Sequence, residues 1–351
     1  MTPITRNEAG TGVFRVAVVG AASLKGKEVS DVLTDRNFPS VDVRLLDDED
    51  ALGQLEAVGD EATFIQKMMP EHLEKVDFTF LAADAEFSRK NWKTAKAAGS
   101  EIIDLSYALE DEPGARLRAP WIEKELGTNP AYDITNAPVV IVHPAATVLG
   151  LLLLRAGKAA QIRTSVVTVL EPASEQGKRG MDELHQQTVN LLSFQQLPTA
   201  IYDAQIAFNA VARYGEQSKL SLDKMTKRIA RHLRTVTDNQ LTVPSLMLLQ
   251  MPIFHGHGFS LYIEFESPVS VSDLERHLEG EHITVTHTAE DTPTNVNAAG
   301  QDGIQISVRP DAENKNAVWI WAVADNLRVA ALSAVECAER MAAARPRGQV
   351  Q

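Results

Sequence analysis

The sequence predicts an α/β protein: a doubly wound, parallel-sheet N-terminal domain, followed by an α+β domain on a mixed or antiparallel sheet. Two patterns predict it. In the first half, short apolar runs alternate with helical patterns, which implies right-handed crossovers and a parallel sheet. In the second half, strand-like segments alternate apolar and polar residues, as a sheet with one wet face requires. A chain of 351 residues, 44% hydrophobic, is long enough for two domains with cores of their own.

Phe14 to Val19 is apolar and β-branched, ends at Gly20 and is followed by a helical pattern from Lys25 to Thr34. A second strand, Val41 to Leu46, runs into the acids Asp47, Asp48, Glu49 and Asp50. Phe78 to Ala82 reads as a strand, Phe87 to Ala98 as a helix, Glu101 to Asp104 and Val139 to Val142 as strands, and a helix follows through about Ala159. Thr164 to Leu170 and Phe259 to Phe265 then alternate, with Leu261, Ile263 and Phe265 on one face and Tyr262, Glu264 and Glu266 on the other. Between them lie the helical patterns Lys178 to Ser193 and Ser221 to Thr235. Ser272 and Glu275 suggest a capping box for a helix through Leu278. The Ala-rich stretch Asn326 to Ala344 reads as a helix returning to the first domain. The expected domains are therefore 13–147, 148–325 and this terminal helix, 326–344.

Composition narrows the function classes. A net charge of −13 argues against nucleic acid or an acidic membrane as partner, and requires any phosphate site to be built locally. No apolar run approaches a membrane span, and Met1 to Gly12 carries no signal-peptide core. One cysteine, Cys337, rules out an internal disulfide, so the expected location is the cytoplasm.

Five strings in order, Val18 to Gly26 (VVGAASLKG), Arg36 to Pro39 (RNFP), Gln205 to Asn209 (QIAFN), Pro252 to His257 (PIFHGH) and Val323 to Arg328 (VADNLR), resemble the aspartate-semialdehyde dehydrogenase family from about Phe14 to Arg340. The resemblance implies a Rossmann-like first domain, a second domain that dimerises, and chemistry in which a thiolate attacks an aldehyde, a nicotinamide takes the hydride and phosphate releases the acyl group. The family's nucleophile opens a helix in an Asn-Pro-Asn-Cys-Ser-Thr-like string, which here reads His143, Pro144, Ala145, Ala146, Thr147, Val148. Ala146 thus stands at the nucleophile position, and a methyl group forms no covalent intermediate. The phosphate-holding arginine corresponds to Glu110 and the second anion-binding arginine to Gln250, which cannot make a bidentate charge-assisted contact. The segment that would supply an amine-binding carboxylate, Met225 to Thr237, contains no Asp or Glu. The glutamine expected to orient the acyl group appears as Glu171, while His257 matches the acid/base histidine. His255 and His257 form a His-x-His pair that would share one side of a strand; with no third ligand indicated, no metal is expected.

For the cofactor, the family's Gly-x-x-Gly-x-x-Gly turn is represented by Gly20, Ser23 and Gly26, with Ala22 between. Ser23 is expected either to donate to phosphate or to crowd it if the turn needs φ > 0. Asp47, ending the second strand, is placed to accept from ribose hydroxyls, which favours NAD over NADP. Ala83, Ser106 and Asn326 match further positions near the cofactor. The stretch Ala173 to Lys178 looks more like the Usg-type paralogues, which share the fold and lack the cysteine. The leading expectation is a dimeric homologue unable to catalyse the family reaction, with a possible dinucleotide or protein partner. The alternatives are an NAD-linked oxidoreductase using His257 or Glu171 without a thioester, and a non-enzymatic interaction protein.

Overall fold

A computed structural model describes residues 13–59, 61–128, 137–288 and 291–344. Segment 1–12, read above for a signal peptide, lies outside them. The chain divides into two compact units, Met1–Arg116 with Pro130–Ile141 and Ser333–Gln351, and Leu117–Asn129 with Val142–Leu332.

In the first unit, β1 (Phe14–Val19) feeds α1 (Leu24–Asp35) and β2 (Ser40–Asp47). A hairpin of β3 (Leu55–Val58) and β4 (Glu61–Phe64) and the short β5 (Gln66–Lys67) follow. Then come β6 (Phe78–Leu81), α2 (Ala85–Ala97) and β7 (Glu101–Asp104). With β8 (Arg116–Arg118) and β9 (Val139–Ile141) they form a seven-stranded sheet in the order β5-β2-β1-β6-β7-β9-β8. β1 pairs in parallel with β2 on one side and β6 on the other, so the order reverses between β1 and β6. Crevices beyond the carboxyl ends of strands at such a reversal are where doubly wound sheets take ligands. Phe14, Phe38 and Phe78 cluster at the opposite end, Phe78 edge-on to both others, with the Phe14 and Phe78 centroids 5.4 Å apart.

The second unit begins with α3 (Pro120–Glu125) and α4 (Pro144–Ala159), then β10 (Ile162–Glu171), α5 (Gly177–Leu192), α6 (Leu222–Val236), β11 (Ser245–Gln250) and β12 (His257–Phe265). It continues with α7 (Val271–Leu278), β13 (Ile283–Val285), α8 (Asn295–Ala298), β14 (Ile304–Pro310), β15 (Ala317–Ala324) and α9 (Asn326–Ala344), which from Ser333 clusters with the first unit. The sheet, in the order β11-β10-β12-β15-β14-β13, is mixed: β10–β11 and β13–β14 run parallel and the other pairs antiparallel. β12 buries Phe259, Leu261, Ile263 and Phe265 on one face, as its alternation predicts. α4 is apolar nearly all round and packs against α3, α6 and α7. No helix among the described residues is long and apolar enough to cross a membrane.

Two local expectations are corrected. The cap of α7 is Ser270, whose hydroxyl accepts from the Asp273 amide, so Ser272 already lies inside the helix. His255 is not on β12, because Gly256 at φ +84° turns the chain just before the strand; the two histidines do not share a strand face.

Candidate functional site

The chemistry-bearing residues of the second unit gather where β10, β12, α4 and α9 begin or end. Glu171 is the last residue of β10 and His257 the first of β12; Glu171 Oε2 lies 3.0 Å from His257 Nε2, with both side chains buried. A carboxylate only accepts, so Nε2 carries the hydrogen and the neutral ring keeps its lone pair on Nδ1. Burial opposes a charge on His257, but the carboxylates of Glu171, Glu175 and Asp325 outweigh it and hold the imidazole above its ordinary value of 6.5.

A second imidazole stands beside this pair. His143 caps α4, its Nδ1 accepting from the Ala145 amide at 3.2 Å, and its ring centroid is 5.7 Å from that of His257. Its backbone N–H donates to His232 Nδ1 at 2.9 Å, and its Nε2 lies 3.6 Å from Glu175 Oε1. Glu175 Oε2 in turn accepts from Asn326 Nδ2 at 3.1 Å. Ala146, in the first turn of α4, is fully buried and offers the cluster only a methyl group.

Two expected ligand positions are engaged within the fold. Gln250 Nε2 donates to the carbonyls of Glu171 and Met251, both at 3.0 Å, and its Oε1 accepts from the Tyr214 hydroxyl at 2.7 Å. Asn326 Oδ1 accepts from Ser174 Oγ at 3.0 Å and the Gly256 amide at 3.3 Å. Burial and the nearby Glu171 hold the Tyr214 hydroxyl far up, so it remains a donor. His143, Ser174, Glu175 and Asp325 lie inside strings that carry the resemblance but had no role of their own, His232 lies in the acid-free stretch Met225 to Thr237, and Tyr214 carried no local signal.

In the first unit, Gly20, Ala22, Ser23, Gly26, Asp47 and Ala83 converge at the ends of β1, β2 and β6. Gly20 has φ +89°, and a Cβ there would stand 2.2 Å from the Ala83 nitrogen; one on Gly26 would stand 2.1 Å from the Gly20 oxygen. These glycines are needed for the close turn itself. Ser23 has φ −72° and is the N-cap of α1: its hydroxyl accepts from the Gly26 amide at 2.9 Å and donates to the Ala82 carbonyl at 2.8 Å. The single hydroxyl hydrogen of Ser23 is thus directed to Ala82, and at φ −72° the residue needs no positive φ.

Asp47 turns inward, its two oxygens accepting from the amides of Ala22 and Asp48, both at 2.9 Å. Burial holds its carboxyl above the usual value against the pull of those two amides. Ser106 donates through both N–H and hydroxyl to Asp104, which also accepts from the Leu109 amide at 2.9 Å; Glu110 follows on this turn, half-buried. Lys25, which the sequence did not single out, reaches the Leu105 carbonyl at 3.4 Å, its ammonium 4.8 Å from the centre of the Tyr107 ring.

Comparison with known proteins gives this arrangement its context. Residues 15–147 match the model of the semialdehyde dehydrogenase NAD binding domain, and residues 153–329 that of the semialdehyde dehydrogenase dimerisation domain. The aspartate-semialdehyde dehydrogenase of Rickettsia bellii is 30% identical over 341 residues, covering 94% of this chain and 98% of its own. A USG-1 protein homolog of Pseudomonas aeruginosa is 29% identical over 325 residues, covering 92% and 96%. Among solved structures, a probable aspartate-semialdehyde dehydrogenase from Pseudomonas aeruginosa superposes with a TM-score of 0.82 at 28% identity, over 93% of this chain and 98% of that one. Aspartate semialdehyde dehydrogenase II of Vibrio cholerae, complexed with ASA, gives 0.83 at 25% identity, over 94% and 98%. With both domain models matched in order along most of its length, the chain belongs to the semialdehyde dehydrogenase family.

Proposed function

We propose that this chain is a family member that does not carry out thiol-dependent, phosphorylating aldehyde oxidation, keeps a nicotinamide-dinucleotide site in its first unit, and works as a homodimer. One observation carries the first part: the first turn of α4 presents Ala146, while Gln250 and Asn326 direct their polar atoms to neighbours in the fold. The test is phosphate-dependent reduction of NAD or NADP with aspartate semialdehyde. The expected result is no turnover; turnover that is abolished in His257→Gln would overturn the reading.

The residues of the first unit fit a dinucleotide. The turn after β1 lies at the strand reversal beneath the N-terminal end of α1, the usual setting for a diphosphate. When bound, the nicotinamide would supply a hydride acceptor. Asp47 and Asp48 at the end of β2 disfavour a 2′-phosphate, which supports NAD over NADP.

A second reading has its own support in the Glu171–His257 pair, which sets a histidine to exchange a proton at Nδ1. It makes the chain an NAD-linked oxidoreductase of an aldehyde or alcohol, working without a thioester. Turnover of such a substrate that His257→Gln removes is its test.

The dimer is supported by the open face of the second sheet. By strand register, Val166, Tyr262 and Trp319 form one row across β10, β12 and β15, and Met247, Thr168, Ser260 and Trp321 the next. Val166 and Met247 are 44% and 50% exposed. A broad, partly apolar face on an otherwise acidic chain suits an isologous contact between two copies.

A further inference from the structure

We propose that the second unit carries a binding site for a small, uncharged polyhydroxyl molecule of monosaccharide size, at the far end of β10 from Glu171. The site is a cavity of about 480 Å³ between the C-terminal half of α4, the start of β10 and the segment 240–245 that leads into β11. That is a volume in which small-molecule sites are found. β10 begins at Ile162 but pairs with β11 only from Val166, so its first residues have no strand on that side. Glu171 closes the same strand, roughly 30 Å away at about 3.3 Å per residue, which keeps this cavity apart from the His257 cluster.

Two residues stand at this cavity for reasons that the fold alone does not supply. Ser165 is 8% exposed and lies, with Val167 and Val169, on the buried face of β10. Its side chain lines the cavity, and its hydroxyl has no hydrogen-bond partner among the described residues. Buried polar groups without a partner are rare and destabilising, so this hydroxyl calls for a ligand atom. Gly157 is the second. Glycine inside a helix is less stable than alanine, and Gly150 in the same helix is explained by packing, since a Cβ there would stand 2.4 Å from Ile122 Cδ1. A Cβ on Gly157 would meet no atom within 4 Å, and Gly157 lines the cavity, so what its missing side chain leaves is room for an occupant. The lining selects the class of molecule. Its one charged side chain among the described residues, Arg163, is paired with Glu264 at 3.2 Å, so neither an anion nor a cation meets an uncompensated opposite charge. Gln161, Ser165, Gln240 and Thr242 can each donate and accept, as the hydroxyls of a polyol do. Leu153, Leu241 and Val243 supply an apolar wall for the C–H face of a sugar or cyclitol ring.

Methyl-resolved NMR titration of the full chain tests this, with D-glucose, D-galactose and myo-inositol as probes at millimolar concentration, and isobutyrate and isobutylamine as charged probes. At least one polyol is expected to shift the methyl signals of Leu153, Leu241 and Val243 saturably. Ser165→Ala is expected to weaken that binding about fivefold, the worth of one neutral hydrogen bond, without lowering the melting temperature. Gly157→Ala is expected to raise the melting temperature while weakening binding, a combination that a purely structural glycine would not give. Absence of a shift with all three polyols leaves the cavity to solvent and overturns the proposal. Unchanged affinity in both variants places the polyol elsewhere and overturns it as well. Binding of isobutyrate or isobutylamine in preference to every polyol overturns the uncharged class, and a lowered melting temperature in Gly157→Ala makes that glycine structural and removes it from the site.

Discussion

His257 and Glu171 lie 86 residues apart in sequence and 3.0 Å apart in the fold, and the pair makes the stability of the chain depend on pH. The folded imidazole binds its proton more tightly than an unfolded one with a value of 6.5. Folding therefore takes up a proton, so this contribution is complete below about pH 6.5 and is lost as pH rises through the higher folded value. Urea denaturation from mildly acidic to alkaline pH should show wild type losing stability over that window, while His257→Gln is flatter; parallel curves would contradict the pairing. At Ala146, the expectation is that Ala146→Cys restores a thiol but no phosphate-dependent turnover, because Gln250 and Glu110 still stand where the resemblance puts anion-binding arginines. Turnover in that single variant, read as NADH or NADPH formation, would show the remaining site to be intact.

At the scale of elements, Ser23 links the start of α1 to the strand end beyond β6. Ser23→Ala removes an N-cap and the bond to Ala82, and is expected to cost about 1–2 kcal/mol in a urea melt. The order of strands and helices in the first unit was legible because each reads as a local apolar run or a 3.6-residue period. The strands β3, β4 and β5 were not, since LEAV, EATF and QK are exposed or half-buried and carry no apolar run like that of the equally short β6. The cap of α7 was misread because two serines two residues apart both precede an acid at the right spacing, and only the start of the helix at Val271 chooses between them. In the site, Gly20, Gly26 and His257 could be found from local strings. That Glu171 meets His257 and Tyr214 meets Gln250 comes from other elements, and nothing in the sequence near His257 or Gln250 announces those contacts.

On the scale of the whole molecule, the rows on the second sheet predict association. Val166→Asp combined with Met247→Asp should convert a dimer to a monomer in sedimentation equilibrium without changing the circular dichroism of the chain. An unchanged mass would place the contact elsewhere. Gln250 bears on the molecule in a different way. Working sites commonly keep polar groups poised for a substrate and give up fold stability to do so. Here that side chain bonds Tyr214 and two carbonyls, so what it would lend to a ligand goes into the fold. An arginine at this position therefore runs against stability: Gln250→Arg would bury a guanidinium among partners arranged for an amide, and is expected to lower the melting temperature by several degrees, of the order that about 1–3 kcal/mol produces in a chain of this size. A chain carrying an arginine here would thus need stabilising changes elsewhere before that charge could be tolerated.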